Sequence, residues 1–343
     1  MDKANNKSLA KQLGLKNILF PVFVVVAIIF GLLLGRYTKG NEEISTYGIP
    51  VGLFFMIYPA MVKVKISELG KSFKNIKSVG LMVVLNYLVA PFLVAGLAYA
   101  FFYIFYALGL ISSNMTQQAI VGIILLGVAP CIAMVMVWTD MSKGNMSMAV
   151  SFVAWNSIIQ IITTPFLIYL LARTKVSIDP SLILQSILLY LALPFFGGIL
   201  TRYLLQKKSY FAKVTNLLGN VQTIALLFTI LVMFWSEGYG IIEYPSLIWM
   251  VAIVMLSFYF LLFNVGYLTA RRFKFNYEDS TSIGYTVAAR DFEVSIAIAI
   301  TAFSAYPFVP IVTAIGPLLE IPLMLLLVML QLRRKRKIEN TVS

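Results

Sequence analysis

Ten long apolar stretches alternate with short polar gaps along this chain, at residues 18–36, 44–62, 79–106, 117–139, 146–172, 181–201, 214–236, 246–270, 280–304 and 308–331. A helix needs about 20 consecutive apolar residues to cross a bilayer. Each stretch supplies close to that or more, so the pattern predicts ten transmembrane helices. The first, Ile18–Leu34, follows several lysines in the manner of a signal peptide. No small-x-small cleavage site follows it, and the chain runs through Arg36 into further apolar stretches, so it is read as the first span.

Composition points the same way. Of 343 residues, 60% are hydrophobic and 12% charged, with a mean hydropathy of +0.89; soluble domains carry about 25% charged residues. That excludes a water-soluble enzyme. The single cysteine excludes an internal disulfide, and the absence of histidine removes the commonest metal ligand and proton shuttle. A net charge of +13 raises the question of nucleic acid, and its placement answers it. The basic residues gather at Lys3–Lys16, Lys63–Lys77, Lys143, Arg202–Lys213, Arg271–Lys274 and Arg333–Lys337, all in alternate gaps. Outside those groups lie only Arg36, Lys39, Arg173 and Lys175, in the intervening gaps, and Arg290, within a span. This is the positive-inside pattern: the partner is a lipid bilayer and not nucleic acid. An even number of spans puts both termini in the cytoplasm of a protein of the cell membrane. The chain divides into a cytoplasmic segment 1–17, five spans over 18–172, five more over 181–331, and a basic tail 332–343 that anchors the last helix to anionic lipid.

Five spans per half is an odd number, so a second copy of the first unit must lie upside down. Inverted repeats with broken helices near the midplane are a common architecture of secondary transporters. The breakers fall at matching places. Span four contains Gly127-Val128-Ala129-Pro130-Cys131, and span nine the polar run Ala288-Ala289-Arg290-Asp291-Phe292-Glu293. Span five contains Pro165, and span ten Gly316-Pro317 and Pro322. The expected fold is all-α: ten transmembrane helices as two inverted five-helix repeats, with broken helices crossing in spans four and nine.

The candidate chemistry lies in the same spans. Arg290, Asp291 and Glu293 each cost about 2.5–3.5 kcal/mol at a bilayer centre, so they are paired, hydrated or used. The structural alternative is an Arg290–Asp291 ion pair that closes the helix break. Glu293 then leaves one negative charge in excess, which a proton or cation removes, as at a coupling site. Glu320 lies between Pro317 and Pro322, where missing N–H groups predict open backbone; it is either a hydrogen-bond acceptor for the helix or a second protonatable station. Cys131, at the break in span four opposite Glu293, is a small apolar filler or a soft ligand suited to thiophilic species. An intramembrane enzyme lacks support: no HExxH can form without histidine, and Asp291 is the only aspartate in the spans, so no aspartyl dyad is available. No cofactor is implied.

Four segments resemble the arsenite efflux permeases of the bile acid/arsenite/riboflavin transporter superfamily. Ala129-Pro130-Cys131-Ile132-Ala133-Met134-Val135-Met136-Val137-Trp138 is similar to the fourth-span signature of that family, and Asp291-Phe292-Glu293-Val294-Ser295 with the apolar run to Ile300 to its ninth-span motif. Gly316-Pro317-Leu318-Leu319-Glu320-Ile321-Pro322 resembles its tenth-span motif, and Met56-Ile57-Tyr58-Pro59 its second-span end. The resemblance implies a panel and a core with crossing broken helices, and export of arsenite and antimonite driven by protons. It maps the family's essential cysteine onto Cys131 and its ninth-span glutamate onto Glu293; with these, Arg290 and Asp291 are the candidate substrate-binding residues, and Glu293 and Glu320 the candidate proton-coupling residues. Arg290 and Asp291 stand where that family usually has two asparagines. A guanidinium three residues before Glu293 would lie one helical turn from it if the backbone there were helical. The alternative is a sodium- or proton-coupled carrier of an organic anion. Ala297 stands where sodium-coupled relatives have glutamine, which weakens a sodium site.

Overall fold

The computed structural model of the protein describes residues 15–40, 42–63, 76–132, 134–173, 175–176 and 179–342. Most of the segment 1–17 and the lysine-rich stretch with Lys65, Lys71 and Lys74 lie outside the described residues. What is described is helical, with no strand beyond one isolated bridge. The helices are α1 (Leu15–Thr38), α2 (Glu42–Lys63), α3 (Ile76–Ala107), α4 (Ser113–Val128), α5 (Met134–Met141), α6 (Met146–Ala172), α7 (Pro180–Leu205), α8 (Phe211–Glu243), α9 (Pro245–Arg272), α10 (Tyr277–Ala288), α11 (Phe292–Ala302) and α12 (Phe308–Val342).

Seven of these are long and apolar enough to cross a membrane: α2, α3, α6, α7, α8, α9 and α12. Three shorter apolar helices accompany them, the Val22–Thr38 part of α1, α4 and α11. The protein is an all-helical, multi-pass membrane protein. Outward faces carry bare apolar side chains, among them Val22, Phe23, Ile29 and Phe30 of α1 and Leu188, Leu189 and Phe196 of α7, as contact with acyl chains requires.

The two broken helices follow from length. At ~1.5 Å per residue, the 16 residues of α4 rise ~24 Å and the 11 of α11 only ~16 Å, short of the ~30 Å hydrocarbon core. Each therefore needs its other half, α5 or α10, to complete a crossing. Both halves of span nine are buried on every side, and α4 is buried from Gln118 onward, so protein and not lipid surrounds them.

The proline expectations divide. Pro91 and Pro194 each follow a single π-helical turn, Leu85–Val89 in α3 and Leu188–Ala192 in α7. A wider turn accommodates the missing proline N–H without ending the helix. Pro165, Pro317 and Pro322, expected to open the backbone, lie inside continuous helices. Packing on neighbours holds those turns helical, because a freed carbonyl inside protein is better kept near its ladder than exposed to lipid.

Helices α1, α2, α7 and α8 pack together, and the remaining eight surround the two breaks. Small residues set the closest approach between α9 and α10. A Cβ on Gly266 would come within 3.1 Å of the Gly284 Cα and 3.3 Å of the Ile283 carbonyl oxygen, the backbone-to-backbone contact that small residues allow in membranes. The basic end of the chain is not a separate tail. Helix α12 continues to Val342, Arg334 donates to Asn264 Oδ1 at 3.0 Å and stacks on Tyr267, and Lys335 pairs with Glu278 at 3.2 Å. Its partners on α9 and α10 are remote in sequence, so only the fold brings them to it.

Candidate functional site

The two breaks meet at one point. Pro130 and Arg290 sit opposite each other in an antiparallel bridge, where the Cys131 N–H donates to the Ala289 carbonyl at 3.1 Å and the Asp291 N–H to the Ala129 carbonyl at 2.9 Å. A helix break at membrane depth strands several backbone groups that lipid cannot satisfy. Here each break satisfies the other, and proline fits because the bridge takes its donors from Cys131 and Asp291 and none from residue 130.

In each second half-helix an early N–H is bonded by the side chain of the residue after the bridge. Asp291 Oδ1 accepts from the Val294 N–H at 3.1 Å, capping α11. Cys131 Sγ accepts from the Met134 N–H at 3.2 Å at the start of α5. The positions correspond about the crossing, carboxylate on one side and sulfur on the other. Ser295 ties the pair together, its hydroxyl 2.9 Å from the Leu125 carbonyl of α4.

The guanidinium of Arg290 does not pair with Asp291. It donates to the Gly127 carbonyl at 3.3 Å, to Asn86 Oδ1 at 3.4 Å and to the Val287 carbonyl. Asp291 turns to its own helix, and its Oδ2 has no hydrogen-bond partner. The expected ion pair fails because neighbours on extended backbone point to opposite sides. Arg290 is likewise not one helical turn from Glu293, since helix begins only at Phe292. The residues within reach of its charge are Tyr259, Tyr87, Glu320 and Cys131.

Cys131, Arg290, Asp291, Glu293 and Glu320 are all buried, none exposing more than 3% of its surface. The group directly across the bridge from Cys131 is the Ala289 backbone, with Glu293 in the first turn of α11. Glu320 lies on helical backbone in α12 and reaches the crossing from there: Tyr259 donates to its Oε2 at 2.8 Å, and the charges of Arg290 and Asp291 act on it. Glu293 feels the charges of Asp291 and Glu320. One oxygen of each carboxylate, Asp291 Oδ2, Glu293 Oε1 and Glu320 Oε1, has no hydrogen-bond partner. Buried polar atoms are normally satisfied, so three carboxylates with an oxygen lacking such a partner around one crossing set it apart from the rest of the helix packing.

Sequence reasoning missed the residues that support Arg290. Asn86, in the π-turn of α3, bonds to Asn156 of α6 at 3.3 Å, and Tyr87 donates to the same Asn156 at 3.2 Å. An asparagine inside an apolar span was the available signal, as at positions 86 and 156. Nothing marked Tyr259, because tyrosines are common throughout these spans.

Residues 50–244 match the Sodium Bile acid symporter family. The chain is 30% identical to the arsenical-resistance protein Acr3 of Alkaliphilus metalliredigens, over 95% of this chain and 94% of that one. It is also 30% identical to an uncharacterized transporter of Synechocystis, over 90% of this chain and 86% of that one. A second arsenical-resistance protein Acr3, from Corynebacterium glutamicum, is 29% identical over 90% and 86% of the two chains. Helices, crossing breaks and relatives agree: the chain is a membrane transporter that belongs to the Sodium Bile acid symporter family.

Proposed function

We propose that this transporter exports trivalent arsenic, and antimony of the same valence, in exchange for protons. The observation that supports this most is a thiol at a sealed helix crossing that also holds three carboxylates and one guanidinium. Sulfur is a soft ligand suited to a metalloid, and carboxylates in excess of cations at membrane depth call for protons. Relatives named for arsenical resistance support the cargo.

In this reading neutral arsenous acid reaches the crossing from the cytoplasm. Cys131 forms an As–S bond while one As–OH bond breaks, and the thiol proton leaves with that hydroxyl as water. Backbone dipoles at the broken helix ends face the remaining hydroxyls, with Asp291 and Arg290 shaping the pocket. Glu293 carries the returning proton, with Glu320 as a second station. Exchange of a neutral cargo for one inward proton moves one charge. At ~150 mV that supplies about 3.5 kcal/mol, roughly 2.5 decades of concentration ratio. Ten spans as inverted units 18–172 and 181–331, with both termini in the cytoplasm and the protein in the cell membrane, complete the proposal.

The test is arsenite uptake into everted vesicles with and without a proton gradient. Uptake that needs the gradient and Cys131 is expected. Gradient-independent or absent arsenite uptake, or sodium-driven uptake of an organic anion, overturns the proposal.

A further inference from the structure

We propose that Arg290 is a tethered cation: its guanidinium occupies a seat that would otherwise bind a small monovalent cation, and the transporter therefore works without sodium. The inference concerns the coupling ion and holds whatever the cargo.

The argument begins with the acceptors. Three oxygens from three elements converge on one fully buried guanidinium: the Gly127 carbonyl at the end of α4, the Val287 carbonyl at the end of α10, and Asn86 Oδ1 in the π-turn of α3. The two carbonyls belong to the last turns of half-helices, where carbonyls lack intrahelical donors and the helix dipole is negative. Unwound carbonyls and half-helix C-termini are the groups that coordinate sodium or protons in transporters with broken helices. Here they face covalently attached positive charge. Asn86 is held in place by Asn156, so its oxygen is presented to the guanidinium by a second buried amide.

The charge acts on Glu320 only from a distance, and its hydrogen bonds go elsewhere. It makes no pair with its neighbour Asp291, and it donates only to uncharged oxygens. An arginine used for structural pairing would be expected on one of the three carboxylates at the crossing. Instead it neutralises two helix ends, the task of a bound cation in a family whose description includes sodium and whose relatives include a protein of Bacillus subtilis named as a sodium-dependent transporter.

Removal of the guanidinium leaves the oxygens and takes away the charge, so the empty seat should bind what it resembles. The experiment measures thermal unfolding of purified full-length protein in detergent, at constant ionic strength, in choline, potassium, lithium or sodium chloride. The wild type is expected to unfold at the same temperature in sodium and choline. Arg290→Ala and the bulkier Arg290→Gln are expected to be less stable in choline and to recover saturably in sodium or lithium, or in millimolar guanidinium. At 100 times its dissociation constant, a bound cation raises the folded-to-unfolded ratio about 100-fold. Arg290→Lys, which keeps a tethered charge, should respond less than either neutral variant. Saturable sodium stabilisation of the wild type overturns the proposal, because the guanidinium would then not stand in for the ion. So does a neutral variant that responds equally to every salt, or that is recovered folded from no cation.

Discussion

Replacing Cys131 by serine and by alanine separates its two roles, because sulfur here both faces the crossing and caps a helix. Cys131 Sγ accepts the Met134 N–H at 3.2 Å, the first N–H of α5, and so serves as a cap to an orphan donor from just outside the helix. Serine is among the best N-cap residues, and its shorter C–O bond needs only a small shift to bring oxygen to the ~2.9–3.0 Å that an N–H donor prefers. Cys131→Ser should therefore keep the fold. Cys131→Ala loses the cap, typically ~1 kcal/mol, and the apolar burial of one side-chain atom, close to the ~0.8 kcal/mol of a buried methylene. Together these come to about 2 kcal/mol. At no more than ~2–4 °C per kcal/mol in a chain of this size or smaller, alanine should lower the unfolding temperature by up to several degrees and serine by little. Both variants should fail to carry arsenite into everted vesicles, since neither supplies a soft ligand. The assay pairs thermal unfolding in detergent with vesicle uptake. If serine is as unstable as alanine, the cap is not formed; if either variant transports arsenite at the wild-type rate, sulfur has no part in the mechanism.

Arg290→Gln and Asp291→Asn should be additive within about 0.5 kcal/mol in a double-mutant cycle on unfolding, although the residues are adjacent; a coupling of several kcal/mol, as in a broken buried ion pair, would place them in contact. Asparagine caps a helix as well as aspartate, so Asp291→Asn should hold α11 while Asp291→Ala costs ~1 kcal/mol, which thermal unfolding of the two resolves. Tyr259→Phe removes the hydroxyl donor from Glu320 Oε2 and should cost about 1–3 kcal/mol; an unfolding temperature equal to wild type would show that the bond contributes nothing. Gly266→Ala pushes a methyl against the backbone of α10 and should cost about 1–3 kcal/mol, whereas Gly96→Ala, with nothing within 4 Å, should be neutral or stabilising; equal effects would mean that α9 and α10 are not held at that contact.

Span positions were legible in the sequence because the bilayer imposes a one-dimensional rule: twenty apolar residues in, charges out. The second expected span, 44–62, is the helix Glu42–Lys63, and the eighth, 246–270, is Pro245–Arg272. The breaks in spans four and nine were legible too, since Gly127, Pro130 and the charges at 290–293 cannot continue a lipid-facing helix. So were Cys131, Glu293 and Glu320, chemically rare among apolar neighbours. Partnership was not legible. That Arg290 turns from Asp291 to Gly127, Val287 and Asn86, that Tyr259 serves Glu320, and that Arg334 and Lys335 dock on α9 and α10 all depend on which residues the crossing and the packed helices bring together. Nor could composition tell a proline that breaks a helix from Pro165, Pro317 or Pro322, which neighbouring helices hold in line. Hydropathy is a property of single residues and their spacing, and the bilayer reads it locally. Hydrogen bonds and charge contacts between side chains and groups on different helices exist only once the chain has folded, so tertiary structure alone decided them.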